Sequence, residues 1–351
     1  MGRDTKLINF PLHNIIFSQI YFLADNLKNY LHFFFLMSIF LPYVFYKNLN
    51  LIFKKTNKET LILISSLILI LPAFQYSAIW GSSHITALFF FIIGTNLYLK
   101  FELSLFKNKK YISLALLFFA ASAYTKQFYI FIFIFVFLNI LINLKFKYFF
   151  YLSIFTMVLS IPGILFLLIN PLLYYGIAQG ITNLSGSILL SSSICFFYIV
   201  PFLFQYLLNV KKIKKIINFK LAILSLVILT LNIPQFFYNS EIGGGIFYKL
   251  ALFYFNSKIV FYLLAYLGIY FLLFFTEEKL ANYILTIIFI STFSTGFFIF
   301  QKYFEPLFLI IFFLFFNKQK IKISISKNNY IAASYFLFYY LGLNYIYFFG
   351  L

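Results

Sequence analysis

Long apolar runs follow one another along the chain, broken only by short clusters of Lys, Asn, Gly or Pro. A bilayer core about 30 Å thick takes about 20 mostly apolar residues per helix, and helices satisfy their own backbone in lipid without closing a barrel. The pattern therefore predicts an all-α, polytopic transmembrane helix bundle of about twelve spans, in a range of ten to thirteen, with no soluble domain. The expected spans are 30–46, 60–79, 85–99, 111–125, 127–144, 148–170, 188–208, 220–238, 258–275, 281–300, 306–317 and 330–349. Residues 1–29 lie ahead of the bundle, and the stretch 14–24 reads as an amphipathic interfacial helix too short to span.

Composition sharpens the picture. Of the 351 residues, 63% are hydrophobic and only 10% charged, with a mean hydropathy of +0.96. A water-soluble fold is excluded, because a surface must be solvated and soluble domains carry about a quarter charged residues. The net charge of +19 would suggest nucleic acid in a soluble protein. Here the loops account for it. Of the 27 basic residues, twenty lysines fall in one alternate set of loops (47–59, 100–110, 145–147, 209–220, 276–280 and 318–329). The other set holds seven: Arg3, Lys6, Lys28, Lys126, Lys249, Lys258 and Lys302. The rich set is the cytoplasmic one, which leaves both termini outside and removes nucleic acid as a partner. The single cysteine, Cys195, reads as a small apolar filler.

Chemistry is expected on the outer face. Lys126 interrupts a run that is otherwise apolar from 114 to 142, so it forces an outer turn; it either snorkels to the interface or faces an anionic ligand. Lys302 in FIFQKYFEPLFLI poses the same choice, with local pairing to Glu305 as the plainer reading. Trp80, the only tryptophan, reads as an interfacial anchor or a substrate-stacking ring. Cytoplasmic runs such as KKIKK at 211–215 are orientation signals and contacts for anionic membrane lipids. Gly243, Gly244 and Gly245 read as a flexible outer turn. His13 and His84 stand in no metal-ligand spacing, so no motif marks a divalent metal site and no cofactor is implied.

Four of these outer segments, in order, are NFPLHNIIFS at 9–18, QYSAIWGSSHITALFFF from 75, Lys126 and Gln127 in AYTKQFYIF, and QKYFEP at 301–306. Together they resemble the GT-C superfamily of integral-membrane glycosyltransferases, and more narrowly the dolichyl-phosphate-glucose-dependent α-1,2-glucosyltransferases and their bacterial relatives. The resemblance implies inverting transfer of a sugar from a polyprenyl-phosphate donor to a hydroxyl of a glycan or lipid-linked acceptor at the extracytoplasmic face. It assigns the lipid phosphate and sugar to Lys126, Gln127, Gln301, Lys302, His13 and Trp80. Lys126 stands where that family has Arg, which keeps the charge and loses the bidentate fork. The family's acidic pair in the first outer loop is missing, so the chain is expected to start inside that loop, downstream of a first helix, with Asp4 as the nearest acid for the catalytic base. A transporter, flippase or polysaccharide polymerase is the alternative class, and a non-enzymatic membrane component the third.

Overall fold

The computed structural model describes residues 10–20, 26–144, 146–170, 184–207, 216–238, 243–276, 280–292, 299–325 and 329–349. Among these residues all regular structure is helical. The helices run α1 (Leu12–Ser18), α2 (Leu27–Ile52), α3 (Lys58–Ser66), α4 (Pro72–Ile79), α5 (Ser83–Leu103), α6 (Lys109–Thr125), α7 (Phe131–Asn143) and α8 (Phe146–Ile169). They continue with α9 (Leu184–Leu207), α10 (Phe219–Asn232), α11 (Gly245–Phe255), α12 (Lys258–Phe275), α13 (Leu280–Thr292), α14 (Leu307–Phe315), α15 (Lys318–Ser324) and α16 (Tyr330–Phe349). Short 3-10 turns occupy Leu67–Ile70, Gln127–Ile130 and Gln301–Tyr303.

The polar residues that break the apolar runs are also what starts the helices. Asn57, Ser82, Asn218, Ser257 and Asn317 each accept a first-turn backbone N–H with the side chain, which satisfies donors a helix leaves open at its start. Two compact units result, residues 1–51 with 75–178 and residues 52–74 with 179–351. In the first, α5 packs along α6, with Gly94 against the Phe119 ring. In the second, α9 is the buried centre and α12 packs along it, with Gly268 against the Ser192 carbonyl.

Five helices, α2, α5, α8, α9 and α12, are long and apolar enough to cross a membrane, and α3 with α4 makes a sixth candidate bent by 65°. Their outer surfaces are not made for water. Helix α8 exposes Phe150, Ile154, Met157, Val158, Ile161, Ile164, Leu165 and Leu168 along its length. A continuous apolar face of that size is stable against lipid.

The elements are shorter than the apolar runs in several places. Helix α14 falls on the expected span 306–317 but has 9 residues, about 14 Å of helix, and every one is buried. An all-round apolar helix is what the centre of a bundle requires, and burial alone accounts for this run. The stretch expected as an interfacial helix at 14–24 is helical only at Leu12–Ser18, with 21–25 outside the described residues. Its apolar side turns inward, burying His13 and Phe17 against Tyr30 and Phe34.

Candidate functional site

In the first unit the site is built around the break after α6. Ser122 still receives the Lys126 N–H at 2.9 Å, but Lys126 itself is extended, at φ −143°, and the chain restarts as the 3-10 turn Gln127–Ile130. The expected turn is there. Lys126 is half-buried, and its charge is felt by His13. Gln127 carries a buried Oε1 with no hydrogen-bond partner in the structure.

His13 sits on α1 with 8% of its surface exposed. Its Nε2 lies 2.9 Å from the Tyr30 hydroxyl, and that hydroxyl donates to the Gly81 carbonyl at 2.8 Å. Tyr30 must then accept from Nε2–H, which leaves Nδ1 to accept from the Thr86 hydroxyl at 2.9 Å. Burial, then the Lys126 charge, lowers the His13 pKa to about 4. The imidazole is therefore neutral at pH 7 and ties α1 to α2 and α5. Trp80 ends α4 with 63% of its surface exposed, 6.3 Å from the Tyr76 ring.

The second unit holds a residue whose role the sequence did not give. Glu305 is 8% exposed, and its Oε1 accepts from the hydroxyls of Tyr198 at 2.5 Å and Tyr339 at 2.7 Å. Its Oε2 accepts the Ala73 N–H at 2.8 Å, at the start of α4. Pro72 has no N–H to offer, so the carboxylate meets the first available donor of the helix and its positive dipole end. Burial raises the carboxyl pKa against the pull of these three hydrogen bonds.

The expected pairing of Lys302 with Glu305 is overturned by this arrangement. The Lys302 amine instead lies 4.8 Å from the Phe300 ring centre and 5.9 Å from that of Tyr303. Sequence separation hid the true partners: Tyr198 is 107 residues away and Ala73 is 232. The available signal was an acid next to proline at the head of an apolar run, where an ionisable group needs a partner. Gln301 caps α11, its Oε1 accepting the Ile246 N–H at 2.9 Å. Gly243, Gly244 and Gly245 form a left-handed turn. All three have φ near +80°, and the Gly244 N–H donates to the Ile299 carbonyl at 2.8 Å. Side chains at 243 and 244 would meet Tyr238 and Tyr248.

Lys126 with Gln127 and His13 thus belongs to the first unit, Lys302 with Gln301 and Glu305 to the second. Asp4, Arg3, Lys6, Asp25 and Glu241 lie outside the described residues, as does the loop 211–215. No family model, curated protein or solved structure matches this chain, and its functional reading therefore rests on the chemistry of these two turns.

Proposed function

We propose that the chain is a multi-pass protein of a cytoplasmic-type membrane and a GT-C-like glycosyltransferase. It moves a sugar from a polyprenyl-phosphate donor to an acceptor hydroxyl at the extracytoplasmic face. The twenty-to-seven division of basic residues supports that orientation, and five long apolar helices with the bent sixth candidate support repeated crossings. The observation that carries the reading is the pair at 126–127: a half-buried cation followed directly by a buried amide oxygen that has no donor. A phosphate and a sugar hydroxyl are the two groups such a pair would hold.

In the reaction the acceptor oxygen bonds to the anomeric carbon as the bond to the phosphate oxygen breaks. The acceptor proton passes to a carboxylate base, for which Asp4 is the candidate, and polyprenyl phosphate leaves with its added charge against Lys126. The protein in lipid nanodiscs should release polyprenyl phosphate from labelled polyprenyl-phosphate sugars. Lys126→Ala should lower that rate by about 100-fold and Lys126→Arg by far less, as for removal of one group that stabilises developing charge. Absence of donor binding and turnover with every such sugar would sink the reading.

One observation favours a transporter instead. The span formed by α3 and α4 is bent by 65°, and the freed start of α4 points at a buried carboxylate. Discontinuous helices with ionisable groups at the break are how secondary transporters build coupling sites. That reading requires proton-gradient-driven flux in proteoliposomes that Glu305→Gln abolishes; transfer of sugar requires no such flux.

A further inference from the structure

A second basic site lies at the other end of α6, about 25 Å along the helix from Lys126. A cavity of about 460 Å³ opens there between the turn after α5, the start of α6, the end of α7 and the start of α8. Its polar lining is Lys107, Lys109, Asn143 and two tyrosines, and none of its ten lining residues is acidic. The lysine count assigns this end to the cytoplasmic face.

The turn that forms one wall is strained. Leu105 and Phe106 both take left-handed backbone, at φ 52° and 61°, where glycine is the ordinary occupant. The turn is held by the Phe106 N–H on the Phe101 carbonyl at 3.1 Å and by packing of the Phe106 ring on Phe101 at 5.2 Å. This backbone aims the chain so that Lys107 and Lys109 border one cavity. The Lys109 amine rests 3.5 Å from the centre of the Tyr148 ring, which fixes its position.

On α5, Glu102 accepts from Tyr98 at 3.1 Å and from Asn139 at 3.1 Å, and Asn139 in turn accepts from Asn143, a lining residue of the cavity, at 3.0 Å.

We infer that this cavity binds a phosphate group carrying an apolar substituent, the headgroup of an anionic phospholipid or a soluble phosphate ester, with Lys107 and Lys109 on the phosphate and the Leu105 and Phe106 wall against the substituent. This site is separate from the turn at Lys126 and stands whether or not sugar transfer does.

The test uses the full chain, purified and delipidated in mild detergent, with phosphatidylglycerol or phosphatidylcholine titrated in and bound lipid counted by native mass spectrometry. Phosphatidylglycerol should be retained over phosphatidylcholine. Lys107→Ala with Lys109→Ala should weaken its binding by about tenfold or more, since each lysine near a lipid phosphate contributes appreciably. Lys107→Arg with Lys109→Arg should hold it, as should Lys54→Ala with Lys55→Ala, an exposed pair outside the cavity. An excess of phenyl phosphate that displaces the lipid would assign the phosphate site to a soluble ester; failure to displace it assigns the lipid. Equal retention of the two lipids by the unaltered chain without binding of phenyl phosphate, or equal loss in both alanine pairs, overturns the inference.

Discussion

With both ring nitrogens bonded to hydroxyl groups, His13 can take up a proton only by turning the Thr86 hydroxyl around and placing a second charge near Lys126. Its pKa is about 4 in the folded chain against 6.5 when unfolded, so the unfolded state binds more protons between those values. The stability His13 contributes is complete above pH 6.5 and is lost as pH falls toward 4, a loss of about 3 kcal/mol. Melting in detergent should therefore drop between pH 7 and 4.5, and His13→Gln should flatten that part of the profile. A slope unchanged in the variant would remove His13 from the account. At this scale the sequence was legible where a charge conflicts with its immediate surroundings. Lys126 could only be a turn because an ammonium cannot sit in a lipid-buried helix without water or an anion. Glu305 was not legible in the same way, since its partners come from three distant segments and its neighbour Lys302 offered a false local answer.

Among the helices, an apolar run announces burial but not what does the burying. Helix α8 shows its apolar side chains outward and α14 hides all of them, although the two segments read alike in sequence. The bend in the expected span 60–79 has a local cause. Leu71 is extended, at ψ 123°, because the ring of Pro72 disfavours helical geometry in the residue before it. Pro42, Pro162 and Pro201 nevertheless stay within helices, so proline alone did not mark the break. Close helix contact gives a sharper prediction. At Gly268 a methyl group would run into the Ser192 backbone carbonyl, and neither α12 nor α9 can yield without separating. Gly268→Ala should cost roughly 1–3 kcal/mol in a reversible unfolding titration in mixed micelles. Gly342 on α16 has nothing within 4 Å of that position, so Gly342→Ala should instead leave stability level or raise it by up to about 1 kcal/mol. Two equal effects would mean that the α9–α12 contact is looser than described.

For the whole molecule the decisive quantity is which side each loop faces, and the lysine count predicts it before any packing is known. Twenty lysines in alternate loops fix an orientation only if every element between them crosses. The bent pair is the crossing on which the later loops turn, because 65° is compatible with a broken span and with a loop that returns to its own side. Cys195 is fully buried and is the only cysteine, so a Cys195→Ala chain offers a clean background for single-cysteine labelling. A cysteine at Asn57 should react with an impermeant reagent only after the membrane is opened, and one at Trp80, already an exposed position, should react in intact cells. If both react from the same side, residues 58–79 turn back and the orientation of every later element reverses. Lys126 would then face the cytoplasm and the basic cavity at Lys109 the outside. A polyprenyl-phosphate site at Lys126 on the extracytoplasmic face would fall with that single result.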